Sequence, residues 1–222
     1  MTHGSVFIGQ PVTPVRPAGD GAAVQVNILA KHFGPTQVLR DVHFTVARGE
    51  TVALVGPSGI GKSTVLRIVS GLDTRFDGHV QRPGTMAMVF QEPTLLPWRS
   101  ARQNLTLIHD GLTEAQADAA LDRVGLGGRG DAFPRALSLG QQRRLALARA
   151  FAGRPEMLIM DEPFVSLDPE LAEQMLSLTE ELITEARPAT IFVTHARAEA
   201  DRLASRVLDL RGTPATLSPH LI

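Results

Sequence analysis

Short apolar runs alternate with longer amphipathic stretches along most of this 222-residue chain. Seven runs share the length and the branched side chains of buried strands. They lie at 24–29, 38–46, 51–55, 86–90, 157–160, 189–194 and 206–210. Four stretches have the length and apolar spacing of helices, and they lie at 113–124, 139–152, 169–186 and 197–204. Because strands alternate with helices from residue 51 onward, the pattern predicts an α/β fold with a mainly parallel sheet and flanking helices.

Two regions depart from this alternation. Residues 1–20 are rich in Pro, Gly and Thr and have no periodicity, so we expect a mobile leader. Between residues 93 and 137 helical stretches are interrupted by a glycine-rich turn at 125–128, which predicts a helical insert. The length fits one domain. The predicted boundaries are a single domain over 21–222, with a core at 21–91 and 145–222 and a helical subdomain at about 92–144.

Composition excludes several classes of protein. The net charge is −1 and the basic residues are dispersed, which argues against nucleic acid as a main partner. Cysteine is absent, so there is no disulfide framework, as is usual in a reducing compartment. No apolar run approaches the roughly 18 residues that span a bilayer. We therefore expect the chain to meet a membrane only through another protein.

The apolar run at 51–55 leads into a glycine-rich loop that precedes the start of a helix at 65–69. Strand, glycine-rich turn and helix N-terminus together form a phosphate-binding loop, in which backbone N–H groups and the helix dipole face the phosphates. Lys62 is expected to bind the β- and γ-phosphates, and the Ser63 hydroxyl to hold Mg²⁺. The alternative is a Gly- and Ser-rich loop without a ligand. The predicted nucleotide-binding residues are Gly56, Pro57, Ser58, Gly59, Ile60, Gly61, Lys62, Ser63 and Thr64.

Two acidic residues, Asp161 and Glu162, directly follow the apolar run at 157–160. Open α/β sheets bind their ligands at the carboxyl ends of the strands. Asp161 is therefore expected to hold Mg²⁺ through water, and Glu162 to polarise the water that attacks a γ-phosphate. The alternative is a strand that merely ends in two solvated carboxylates.

These motifs, together with five further segments in the expected order, resemble the ATP-binding subunits of ABC transporters. Residues 89–91 resemble the Q-loop, 137–141 the signature motif, 166–168 the D-loop and 194–195 the switch histidine, and Phe33 matches the adenine-stacking aromatic. The resemblance covers about residues 22–211. It implies a P-loop NTPase core with an N-terminal antiparallel β part and a helical subdomain.

The same resemblance implies the roles of further residues and names ATP and Mg²⁺ as the bound cofactors. Gln91 would contact Mg²⁺ and the attacking water, and His195 would reach the γ-phosphate. Phe33 would stack on adenine. The remaining predicted nucleotide contacts are Ser138, Gly140, Gln141 and Asp168.

Each match also has a plainer interpretation. Gln91 can be an ordinary polar residue at a strand end, His195 a surface histidine, and Phe33 or Trp98 a packing residue. The arginines at 143, 144, 202 and 206 are interpreted as solvated helix faces.

The signature motif differs from the family pattern at one position, where Leu139 replaces the first of two glycines. The side chain either slows hydrolysis or points away without effect. The motif also implies a partner, because in this family it completes the nucleotide site of a second subunit. We therefore expect a homodimer with two ATP molecules between the chains.

The segment at 91–100 resembles bacterial importers for nitrate, aliphatic sulfonates and taurine. This implies integral-membrane permease subunits as partners, an indirect link to a periplasmic binding protein, and a peripheral position at the cytoplasmic face of the inner membrane. Two alternatives remain. One is a soluble ABC ATPase that acts on DNA or ribosomes, and the other is a small-molecule kinase with a P-loop. Nothing in the sequence identifies the transported solute.

Overall fold

The computed structural model describes residues 22–219, so the predicted leader at 1–20 lies outside the described residues. The strands are β1 (Ala22–Phe33), β2 (Thr36–Ala47), β3 (Thr51–Val55), β4 (Asp77–Gln81), β5 (Met86–Val89), β6 (Met157–Asp161), β7 (Ala189–Val193), β8 (Arg206–Arg211) and β9 (Thr216–Pro219). The helices are α1 (Lys62–Ser70), α2 (Ala101–Thr106), α3 (Glu114–Arg123), α4 (Leu139–Ala152), α5 (Pro169–Ala186) and α6 (Arg197–Leu203), and a 3₁₀ turn spans Pro134–Ala136.

The large sheet has six strands in the order β5-β6-β7-β3-β8-β9. The first five are parallel, and β9 pairs with β8 antiparallel. The prediction of an α/β fold with a mainly parallel sheet is therefore confirmed. Since β7 lies between β3 and β6, the carboxyl ends of these three strands lie side by side. This edge of the sheet carries the predicted phosphate loop, the predicted switch histidine and the two carboxylates.

The small sheet has the order β2-β1-β4, and both pairings are antiparallel. It confirms the predicted N-terminal antiparallel part. Alternate residues of β1, such as Val24, Val26 and Ile28, are buried, which is the pattern of a strand with one face in the core. The third strand, β4, was not predicted.

Each face of the large sheet has its own apolar core. On β3, Val52 and Leu54 belong to the core shared with the small sheet and α1. Ala53 belongs to the other core, which includes residues of α4 and α5. A strand alternates its side chains between the two faces, so one short apolar run serves both cores.

Backbone hydrogen bonds also join the two sheets. The N–H of Ala215 donates to the carbonyl of Val38 at 2.9 Å, and the N–H of Arg40 donates to the carbonyl of Ala215 at 2.9 Å. Leu39 and Ala215 thereby form a parallel bridge between β2 and the segment that precedes β9. The antiparallel sheet is thus attached to the parallel sheet at its β9 edge.

Helices α2 and α3 lie within the predicted helical subdomain and pack on each other and on α4. Ser100, Thr113 and Ser138 each begin a helix with a reciprocal capping box, which satisfies N–H groups that the first turn leaves free. Helix α4 runs continuously through residue 144, where the subdomain was predicted to end. Within residues 22–219, none of the helices is both long and apolar enough to span a bilayer.

Candidate active site

The glycine-rich loop between β3 and α1 has a backbone that only glycine tolerates at two positions. Gly56 has φ +150° and Gly61 has φ +115°. A Cβ atom on Gly56 would lie 2.6 Å from the carbonyl oxygen of Leu210, and one on Gly61 would lie 2.9 Å from Leu39 Cδ2. Gly61 is the N-cap of α1, and no side chain of residues 22–219 caps that helix. The first-turn N–H groups of α1 are therefore free to bind an anion.

Lys62 is bent back over this loop. Its side chain is only 5% exposed, and Nζ donates to the carbonyl oxygens of Gly56 at 2.9 Å and Pro57 at 3.0 Å. Nζ also lies 3.9 Å from Glu162 Oε1. A buried ammonium that bonds mainly to neutral carbonyls is incompletely compensated, so an anion in the loop would stabilise it.

Ser63 and Asp161 meet across the site, because β6 delivers the carboxylate to the start of α1. Ser63 Oγ donates to Asp161 Oδ1 at 3.4 Å. Burial raises the pKa of Asp161, and the charge of Glu162 raises it further, while the Ser63 hydrogen bond and Lys62 act in the opposite direction. A partly buried carboxylate next to a hydroxyl offers two hard oxygen donors, as Mg²⁺ prefers. This donor chemistry fits the predicted metal site.

Glu162 lies between a lysine and a histidine. Its Oε1 faces Lys62, and its Oε2 lies 3.5 Å from His195 Nδ1. The backbone of Glu162 has φ +47°, and its N–H donates to the carbonyl oxygen of Val193 at 2.9 Å. This bond fixes the carboxylate at the end of β7, next to the histidine.

The position of His195 is set by the residue before it. Thr194 is buried, and its Oγ1 donates to Glu199 Oε2 at 2.5 Å and accepts the N–H of Ala196 at 3.0 Å. The imidazole itself is exposed. An open cleft of about 620 Å³ borders the glycine-rich loop and is lined in part by Ser58 and His195.

The structure thus brings five predicted residues together at one sheet edge: Lys62, Ser63, Asp161, Glu162 and His195. The other predicted phosphate-loop residues lie between β3 and the first turn of α1, as expected from the sequence. Pro57, Ser58 and Gly59 are exposed, and Ile60 and Thr64 are partly buried.

Other predicted residues are not in contact with this group. Ser138 Oγ accepts the N–H of Gln141 at 3.3 Å, and Gln141 Oε1 accepts the N–H of Ser138 at 3.0 Å. Asp168 Oδ1 accepts the N–H of Leu171 at 3.0 Å and caps α5. These side chains therefore stabilise the starts of two helices within the single chain.

Three further predicted residues lie at or near the ends of elements. Gln91 is exposed just after β5, the neighbour of β6 in the sheet. Phe33 is exposed at the end of β1, with Lys31 Nζ 4.7 Å from its ring centroid. Gly140 packs closely on α5, since a Cβ there would lie 3.0 Å from Leu171 Cδ1. Beside it, Leu139 is 51% exposed and faces out of the chain.

The prediction of a solvated surface is wrong for Arg143. This side chain is 8% exposed and donates to the carbonyl oxygens of Pro163 at 2.8 Å and Val165 at 3.3 Å. A signal was present in the sequence, because Arg143 shares a helix face with Leu147 and Ala150. The next residue, Arg144, is half-buried and bonds to the carbonyl oxygen of Val124 and to Gln174.

The two later arginines differ from each other. Arg202 is exposed on α6 and pairs with Glu173 and Glu180. Arg206 does not lie on a helix, because it begins β8, and it pairs with Glu50 at 2.9 Å.

Comparisons with known proteins agree with this geometry. The family profile described as "ABC transporter" matches residues 39–165. Aliphatic sulfonates import ATP-binding protein SsuB 3 of Nocardia farcinica is 45% identical over 191 residues, which cover 86% of this chain and 77% of the relative. SsuB 2 of Paracoccus denitrificans is 42% identical over 191 residues, which cover 86% of this chain and 78% of the relative.

A solved structure is also similar. It is the dimeric post-hydrolysis state of the ATP-binding cassette MJ0796 bound to ADP and Pi. The TM-score is 0.74 and the identity 26%, over 88% of this chain and 96% of the other. The predicted family resemblance and the predicted ATPase activity are confirmed by these findings. The chain belongs to the ABC transporter family, as one of its ATP-hydrolysing subunits.

Proposed function

We propose that this chain hydrolyses ATP to drive the import of an aliphatic sulfonate through a membrane permease. The single observation that carries the reaction is the position of Glu162, between Lys62 and His195 at the carboxyl ends of β6 and β7. The choice of solute is supported by the relatives, which are named as import subunits for aliphatic sulfonates.

The triphosphate would bind at the N-terminus of α1. Its oxygens would replace the carbonyl oxygens that Lys62 now contacts, and the free N–H groups of α1 would face the same phosphates. Ser63, Asp161 and Gln91 would hold Mg²⁺, which when bound neutralises charge on the β- and γ-phosphate oxygens. Phe33, exposed at the end of β1, would stack on adenine.

Glu162 would orient and deprotonate the water that attacks the γ-phosphorus. The new P–O bond forms as the bond to the ADP oxygen breaks, and the water proton passes to the carboxylate. His195, 3.5 Å from Glu162, would contact the γ-phosphate from the neighbouring strand. The products are ADP and inorganic phosphate.

Two copies of the chain would complete two sites. Ser138 and Leu139 are exposed at the start of α4, and Asp168 is exposed at the start of α5, so these residues are available to a second chain. The similar solved structure is dimeric and holds ADP and Pi. We therefore propose a homodimer in which Ser138, Gly140, Gln141 and Asp168 contact the ATP of the partner.

A rigid, exposed segment would receive the permease. Trp98 is 66% exposed. The turn that carries it is fixed by the buried Asn104, whose Oδ1 accepts the N–H of Leu96 at 2.8 Å and whose Nδ2 donates to Leu96 and Arg99 carbonyl oxygens. We propose that this turn docks on a permease helix at the cytoplasmic face of the inner membrane. A periplasmic binding protein would deliver the solute.

The test uses the purified chain, alone and reconstituted with its permease in proteoliposomes. The wild type is expected to release phosphate from ATP and to drive uptake of labelled alkanesulfonate. Glu162→Gln should lose both activities yet dimerise with ATP, because binding remains and hydrolysis stops. Glu181→Gln, a change at an exposed position of α5, is the matched control and should behave as wild type.

Three outcomes contradict the proposal. Absence of phosphate release by the reconstituted wild type would exclude the ATPase mechanism. A Glu162→Gln variant that stays monomeric at saturating ATP, with and without permease, would exclude the shared sites. Uptake of nitrate in preference to alkanesulfonates would exclude the proposed solute.

A further inference from the structure

A buried arginine connects the start of α4 to the segment that carries the catalytic carboxylate. Arg143 is the fifth residue of α4, whose N-cap is Ser138. Its guanidinium donates to the carbonyl oxygens of Pro163 and Val165, at 2.8 and 3.3 Å. Both acceptors lie in the segment at 162–168, which begins with Glu162 and ends with Asp168. One side chain thus connects α4, the helix that begins within the signature motif, to the middle of this segment.

The 162–168 segment has a backbone that needs external support. Glu162 has φ +47° and Ser166 has φ +60°, and residues with side chains rarely adopt this left-handed conformation. Such strained residues persist only where the surroundings hold them. Phe164 provides one support, since its ring packs edge-on against Phe192 with centroids 6.2 Å apart. The two hydrogen bonds from Arg143, on either side of Phe164, provide another.

The charge of Arg143 is unusual for a purely structural residue. Its Nε is buried and has no hydrogen-bond partner among residues 22–219. Burial lowers the pKa of its guanidinium, and the negative charge of Glu92 opposes this effect. Burying a cation that bonds to two carbonyl oxygens costs free energy, because the charge is removed from water. An apolar side chain would fill the same space without this desolvation cost.

A small cavity of about 10 Å³ lies next to this guanidinium. It is lined in part by Phe90, Pro93, Arg143 and Pro163. Three parts of the molecule therefore meet here. They are the segment that follows β5 and carries Gln91, the helix α4 that begins within the signature motif, and the 162–168 segment. The guanidinium is the charged group at their junction.

We propose, on the basis of the function proposed above, that Arg143 is a positioning residue that couples the two ATP sites of the dimer. Ser138 would contact the ATP bound to the partner, whereas Glu162 acts on the ATP bound to its own chain. When ATP binding fixes the start of α4, Arg143 would fix the 162–168 segment and with it the carboxylate. Each site would then reach its hydrolytic geometry only after the other has bound ATP. The 162–168 segment, which is either fixed by Arg143 or not, would thus couple the two sites.

The first test measures ATP hydrolysis as a function of ATP concentration in the permease complex. The wild type is expected to show a sigmoidal curve. Arg143→Gln should lower kcat about tenfold and bring the Hill coefficient close to one. The ATP concentration at half-maximal rate should change less than about twofold, because the P-loop is intact. Arg143→Lys, which keeps the charge and can bond to one carbonyl, should restore part of the kcat and part of the cooperativity.

Arg144→Gln is the matched control. Arg144 is the neighbouring residue of the same type, but it bonds to Val124 and Gln174, which lie outside the proposed sites. It should keep the wild-type curve. If Arg143→Gln fails to fold, Arg143→Lys alone carries the test and should show an intermediate Hill coefficient.

A second measurement separates positioning from stability. In the Glu162→Gln background, ATP should protect the amides of residues 164–168 from hydrogen exchange, and Arg143→Gln should remove this protection although the dimer still forms. A lower kcat with an unchanged Hill coefficient and unchanged protection would overturn the proposal, as would a non-cooperative wild type. Failure of the proposed function is distinguishable, because the wild type would then release no phosphate.

Discussion

Replacing Lys31 with Met should destabilise the protein more than any surface substitution. Lys31 is 1% exposed, and its Nζ donates to Asp73 Oδ2 and to the carbonyl oxygen of Arg75, both at 2.7 Å. It also lies 4.7 Å from the centre of the Phe33 ring. Met keeps the length and the apolar stem but removes the charge, so Asp73 loses its cationic partner and the Arg75 carbonyl loses its donor.

The magnitude follows from the burial of the two groups. Removing one member of a buried ion pair costs about 3–5 kcal/mol. The lower end applies here, because the Asp73 side chain is 12% exposed and keeps the N–H of Arg75 at 3.0 Å. A loss of about 3 kcal/mol corresponds to a fall in Tm of roughly 6–12 °C for a chain of this length. Asp73→Leu alone should cost more, because it leaves the deeper charge of Lys31 unpaired.

The pair also has a defined pH dependence. The hydrogen bond from Lys31 lowers the pKa of Asp73 below its ordinary 3.8. The stability that the pair contributes is therefore fully present above pH 3.8 and is lost as the pH falls through the lowered value. The difference between wild type and Lys31→Met should shrink accordingly in strong acid.

Urea unfolding of the wild type, both single variants and Lys31→Met/Asp73→Leu gives the coupling energy. The double variant should recover part of the loss, since it leaves no unpaired charge. Arg40→Met, at an exposed position of β2, is the control and should stay within about 0.5 kcal/mol of wild type. The reasoning is refuted if both single variants lose less than about 1 kcal/mol, or if their effects simply add.

Three further predictions concern the proposed sites. Leu139→Gly should raise kcat about fivefold, which corresponds to an activation free energy lower by about 1 kcal/mol, because it removes an exposed side chain from the proposed dimer face. An unchanged rate of phosphate release would mean that the Leu139 side chain points away from the site and has no effect on hydrolysis. Asp161→Asn should abolish Mg²⁺-dependent hydrolysis and raise the Tm of the nucleotide-free protein at pH 8. Burial raises the pKa of Asp161, so ionisation of this carboxyl lowers the stability of the wild type as the pH rises above 3.8. The gain in Tm of the variant over the wild type should therefore vanish below that pH. An equal gain in Tm at both ends of a fluorimetric pH series would contradict this reasoning. Trp98→Ala should reduce sulfonate uptake in proteoliposomes but leave the ATPase of the free subunit within about twofold, since the indole is exposed; equal loss of both activities would argue against docking.

Elements with local signals were predictable from the sequence. The predicted helices at 139–152 and 169–186 match α4 and α5 at both ends. Each has a capping side chain before its first residue, and α5 also has proline at its first position. In contrast, β4 contains Asp, Gly and His, and its exposed residues give no apolar pattern. It exists because its backbone pairs with β1, where a Cβ on Gly78 would lie 2.0 Å from the Asn27 carbonyl oxygen.

The site was predictable only in part, for a physical reason. The carboxyl ends of parallel strands share one edge, so the phosphate loop and the two carboxylates were expected near each other. The order of strands is a tertiary property, and it is the placement of β7 between β3 and β6 that brings His195 to Glu162. The spacing of Arg143 from Leu147 and Ala150 indicates a buried helix face, but the carbonyl groups that it binds belong to the 162–168 segment, and only the tertiary fold brings that segment to α4.

The hydrogen bonds of Ala215 have a consequence for how a nucleotide would be released. They attach the strand pair that ends at Phe33 to the sheet that carries Lys62, and Leu39 of that pair also touches the glycine loop. In the binding mode proposed above, the base and the phosphates would therefore contact two sheets that are hydrogen-bonded to each other. We expect the base and the phosphates of ADP to leave together in that case, because these hydrogen bonds oppose separation of the two sheets.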